Sequence, residues 1–175
     1  MSTTEGKAAT TPLRVRQLFD RESCTYTYIV HDEETREAVL IDPVVEHAER
    51  DATVLAEMKV KLIYVMNTHV HADHITGSGK LKEIINTEGR EGEPLKSVIG
   101  DKTGATADMH VADGDKVHFG NNRYVAVRHC PGHTPGCVAY VTDDEKCVNI
   151  KYQWEILDLE KRTFFHSMEK LCPKA

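Results

Sequence analysis

The sequence predicts an α/β sandwich whose loops carry the chemistry. Three observations lead there. Short β-rich runs alternate with two stretches of helical periodicity. One of those runs leads directly into Thr68-His69-Val70-His71-Ala72-Asp73-His74. A further histidine, His133, lies in a loop that two prolines and two glycines constrain.

In chain order, residues 1–12 are small and polar and read as a flexible N-terminus, with neither a secretory hydrophobic region nor an arginine-rich transit helix. The runs 24–30 and 38–41 are rich in β-branched and aromatic residues and read as strands. The charged segment 31–36 turns between them. Residues 46–59 are helical, with Ala48, Ala52, Leu55, Ala56 and Met58 as the apolar positions and His47 read as surface. The apolar run 61–67 is a buried strand, and 79–86 is a helix with Leu81, Ile84 and Ile85 inward. Short strands follow at 96–99, 116–119, 123–128 and 138–141, with a hairpin-type turn at 111–115. His110, His118 and His129 are assigned no role.

Length and charge exclude several classes. A chain of 175 residues suffices for one domain with a sizeable core. Its net charge of −6, from 28 acidic and 22 basic residues, provides no basic stripe for nucleic acid. No apolar run approaches the ~20 residues of a membrane span. The five cysteines are scattered without a C-x-x-C pair, which favours a reducing, intracellular setting over a disulfide scaffold.

The cluster is the strongest signal. His69 and His71 are two apart, so extended backbone puts both rings on one face. Asp73 and His74 follow where the chain turns. Imidazole and carboxylate are ligands that zinc and iron accept. The loop Cys130-Pro131-Gly132-His133-Thr134-Pro135-Gly136-Cys137 offers His133 as a further ligand. Cys130 and Cys137 read as packing residues, with thiolate ligation not required.

The two motifs together resemble the metallo-β-lactamase superfamily, and within it the persulfide dioxygenases of the ethylmalonic encephalopathy protein type, relatives of glyoxalase II. The stretches 24–28, 36–43, 67–79, 104–108 and 113–115 are similar to that subgroup, and the likeness runs from about Leu13 to about Val148. The resemblance implies an αββα sandwich over residues 13–148 with the metal at one sheet edge. It implies one Fe(II) per chain, with His69 and His133 as primary ligands and His71, Asp73 and His74 as outer-shell or alternative ligands. It also implies oxidation of glutathione persulfide by O2 to sulfite and glutathione. Mitochondrial localisation follows from the same likeness, with cytoplasm as the alternative and a homodimer as the assembly to test.

The family's third iron ligand is an aspartate in a Thr-Gly-Asp strand end. Counted without gaps from His133, its position falls on Tyr152. The glutathione-handling loop and the C-terminal histidine have no counterpart in residues 149–175, a divergent tail with Phe164, Met168 and Leu171 at helical spacing. Asp143 and Asp144 read as solvated turn residues far from the metal. The expectation is therefore a partial sandwich with its second half largely absent, a truncated or alternatively spliced product with impaired activity. Two alternatives stand beside it: a glyoxalase II-like zinc thioesterase (hydroxyacylglutathione hydrolase) with Zn(II), and a non-catalytic form acting by binding.

Overall fold

The computed structural model describes residues 13–71, 74–87, 92–144 and 147–148. Strand β1 (Arg14–Asp20) pairs antiparallel with β2 (Thr25–His31), which pairs antiparallel with β3 (Glu37–Ile41). A 3-10 turn, Val45–His47, then leads into α1 (Ala48–Glu57). The chain returns as β4 (Lys61–Asn67), parallel to β3. Helix α2 (Ser78–Thr87) connects to β5 (Lys96–Gly100), and β5 to the short β6 (Met109–Val111), both steps parallel. These six strands form one sheet in sequence order. The second sheet runs β10 (Cys147–Val148), β9 (Val138–Thr142), β8 (Arg123–His129), β7 (Lys116–Phe119), all antiparallel.

The residue pattern dictates the layers. One face of the first sheet (Val30, Val39, Ile41, Met66, Val98) meets Val117, Phe119, Val125, Val127, Val138 and Tyr140 of the second in a buried core. The other face (Ile29, Leu40, Leu62, Val65) is covered by Ala48 and Leu55 of α1 and Leu81 of α2. Both helices thus lie outside the first sheet. Among the described residues no helix covers the outer face of the second sheet, so three of the four expected layers are seen.

Several sequence readings change. Strands β1, β6 and β10 stand where the pattern predicts none: β1 is a mostly exposed edge strand without alternation, and the other two span three and two residues. Residues 111–115 do turn, with Asp115 N–H donating to Ala112 O at 3.1 Å. They carry the chain from one sheet to the other, however, and so do not form a hairpin. His47, partly exposed in the turn ahead of α1, has its Nε2 3.0 Å from Asp20 Oδ1, a partner that the sequence reading did not assign. Nor is Asp143 merely solvated: it pairs with the buried Arg123 at 2.6 Å, at the opposite end of β8 from His129. Residues 1–12, Tyr152 and the rest of the tail lie outside the described residues.

Candidate metal centre

Parallel pairing of β3 with β4 brings their C-terminal ends side by side, and the site is built there. Asp42, next after β3, has φ +53°, a conformation that Asp adopts more readily than most residues. Its carboxylate is buried. Oδ1 accepts the Thr68 backbone N–H at 2.8 Å, and Oδ2 accepts the Thr68 hydroxyl at 2.7 Å. His71 Nε2 lies 3.1 Å from Oδ1. Burial pushes the Asp42 carboxyl up, but the His71 ring and the Thr68 donors outweigh it and hold the group below its ordinary value.

An ionised Asp42 settles the protons around it. A carboxylate only accepts, so Thr68 spends its one hydroxyl hydrogen on Asp42. The same oxygen is 2.8 Å from His69 Nδ1, which must therefore donate to it. His69 then carries its proton on Nδ1 and its ring lone pair on Nε2. By the same logic His71 donates from Nε2 to Asp42. One carboxylate thus sets which nitrogen donates in each of two imidazoles, as outer-shell groups do in metal sites.

The second loop reaches the first through the backbone. Val138 N–H donates to Thr68 O at 2.9 Å, and the buried Tyr140 hydroxyl donates to Asn67 O at 2.9 Å. These bonds tie β9 to the end of β4. Gly136 lets the loop lie close against the turn after β5: a Cβ there would stand 2.9 Å from Lys102 O. His129 Nε2, 2.9 Å from Pro135 O, braces the same loop, a supporting role that strand parity alone did not reveal.

The result is a row of imidazoles. Ring centroids of His69 and His71 are 4.0 Å apart, those of His71 and His74 4.2 Å. His69 and His133 approach edge to face at 4.9 Å. His69 is buried and His133 exposed, so the row runs from the interior to the surface. Burial, and then the charge of His71, push the His74 ring below its ordinary value, favouring its neutral form. Asp73 lies outside the described residues. Among the described residues, no three His, Cys, Asp or Glu side chains are disposed as a complete set around one ion. The donors fit a divalent transition metal in kind, and they form pairs that a further ligand would complete.

Asp42 and Thr68 are the residues that motif reading passed over. The usable signal was a carboxylate ending the strand before a βαβ crossover, because parallel neighbours end at the same edge.

Residues 20–148 match the family described as the metallo-beta-lactamase superfamily. The chain belongs to the metallo-beta-lactamase superfamily. Among relatives within it, the mitochondrial persulfide dioxygenase ETHE1 of Mus musculus is 48% identical over 138 residues, covering 79% of this chain and 51% of that protein. The cytoplasmic hydroxyacylglutathione hydrolase of Arabidopsis thaliana is 30% identical over 124 residues, covering 71% of this chain and 45% of that protein. The crystal structure of ETHE1 from Myxococcus xanthus superposes with a TM-score of 0.67 at 43% identity, covering 75% of this chain and 54% of that one. The chain spans about half the length of these relatives. The superfamily fold accounts for the two facing sheets and for helices on the outer face of the first.

Proposed function

We propose that this chain is a persulfide dioxygenase by descent, with one Fe(II) held between His69 and His133, and glutathione persulfide and O2 as its substrates. The observation that carries this reading is the approach of His69 and His133 from separate loops, at 4.9 Å between ring centroids, in a chain 48% identical to a named persulfide dioxygenase. Bound there, Fe(II) would supply open coordination positions for a sulfur substrate and O2. The protein's part is orientation. Asp42 and Thr68 keep the His69 lone pair on Nε2, while His71 and His74 supply further imidazoles beside it, with Asp73 as an outer-shell or alternative ligand. Mitochondrial placement is proposed from the relatives named mitochondrial.

Turnover of this chain is proposed to be low. The position that the resemblance gives to the third ligand, a carboxylate, is Tyr152. Two imidazoles and water hold Fe(II) weakly. The test is O2 uptake by the iron-loaded chain with glutathione persulfide: slow uptake is expected, and robust consumption would contradict the impairment.

A second reading draws on the 30% identity to a hydroxyacylglutathione hydrolase. In that reading the same imidazoles would hold Zn(II), which would supply Lewis acidity for hydrolysis of a thioester. Retention of zinc with hydrolysis of S-lactoylglutathione would establish it in place of the first. Silence in both assays with no metal retained would favour the non-catalytic, binding form.

A further inference from the structure

We propose that Cys130 and Cys137 form a reversible dithiol–disulfide pair across the base of the loop that presents His133. The β8–β9 ladder sets His129 opposite Val138, so the next rung sets Cys130 opposite Cys137. One bond of that rung is made: Cys130 N–H donates to Cys137 O at 2.9 Å, while Cys137 N–H turns back to Thr134 O at 3.3 Å. Hydrogen-bonded antiparallel partners have Cα atoms about 5.5 Å apart. Disulfides bridge Cα separations of about 4.4–6.8 Å. Directly opposed residues also project their side chains to the same face of the ladder. Both residues are thiols in this structure.

Burial assigns the roles. Cys130 is half-buried, whereas Cys137 is buried and its Sγ sits 3.2 Å from Thr134 N and 3.1 Å from Thr134 Oγ1, so Cys130 is the thiol assigned to the first attack. The oxidant is a low-molecular-weight disulfide, RSSR. Cys130, having lost its proton, attacks one sulfur and forms a Cys130–SR mixed disulfide while RS⁻ leaves. Cys137 then loses its proton and attacks the Cys130 sulfur, expelling the second RS⁻. The two thiolates take up the two protons. The protein loses two hydrogens and two electrons, and RSSR becomes two RSH. The closed ring contains residues 131–136, with His133 inside it, so oxidation clamps both ends of the loop that carries that imidazole.

The experiment uses glutathione disulfide on the full chain, followed by alkylation and trypsin. Residues 129–146 form one tryptic peptide that holds these two cysteines and no other. The expected peptide is unalkylated, lighter by two hydrogens, and restored to two alkylatable thiols by reductant. In C137S the reaction should stop at a glutathione adduct on Cys130. Recovery of the wild-type peptide with two alkyl groups, with glutathione still attached, or joined to another cysteine would overturn the proposal. An unmodified Cys130 in C137S would equally overturn its role as the attacking thiol. The readout needs no metal, so its failure leaves the iron reading untouched.

Discussion

Asp42 holds two imidazoles through one carboxylate, directly at His71 and through the Thr68 hydroxyl at His69. Replacing it by Asn keeps the size but puts an NH2 where an acceptor is needed, and the tautomer of at least one ring is lost. D42N is expected to bind Fe(II) or Zn(II) about 10–100-fold more weakly, the range for outer-shell changes. Competition against a chelator measures it, and unchanged affinity would show that Asp42 does not set the rings. A second residue-scale effect lies away from the site. Asp108 accepts from the Lys82 ammonium, and from the Ser97 N–H and hydroxyl; these hold its carboxyl at about 2 against an ordinary 3.8. A depressed carboxyl stabilises the fold above its unfolded value, and the contribution is lost as pH falls from about 4 to about 2. Because Asp108 is 39% exposed, solvent and salt weaken the effect. Melting temperature against pH should fall less steeply over that interval in D108N, and the difference should shrink at high salt.

At the scale of elements, the contact between the two sheets at the site end matters most. Tyr140 is fully buried in β9 and donates to the carbonyl at the end of β4. Burial pushes its phenol far above the ordinary range, so it remains a donor at any working pH. Y140F is expected to cost about 1 kcal/mol in urea denaturation. It should also loosen the approach of the His133 loop to His69, seen as weaker metal binding. Unchanged stability and metal binding in Y140F would mean that the packing of the ring, not the hydroxyl, is what Tyr140 supplies. The elements also show what the sequence can and cannot disclose. The His69–His74 cluster is legible because candidate ligands crowd into a few positions of one strand end. Asp42 is not, because its role arises only when β3 and β4 are parallel neighbours, a fact that neither strand carries alone. Strand β1 escapes notice for a different reason: as an edge strand it is largely exposed, and Val15, Leu18 and Phe19 are spaced with no alternation to read.

Taken whole, the molecule is a three-layer arrangement among the described residues, with the first sheet doubly covered and the second covered on one face. The motif loops lie at the same end of both sheets, which is why residues more than sixty positions apart meet. That convergence was predicted from the motifs, whereas its cause, the Val138 to Thr68 bond and the close approach at Gly136, is tertiary. The central claim is that one ion is shared between His69 and His133. The most direct measurement is an anaerobic Fe(II) titration of the full chain and of its H69A and H133A variants, with folding checked by circular dichroism. One ion per chain, with affinity reduced at least about tenfold in each folded variant, is the predicted result. A folded H133A chain that binds iron as tightly as the parent would contradict it.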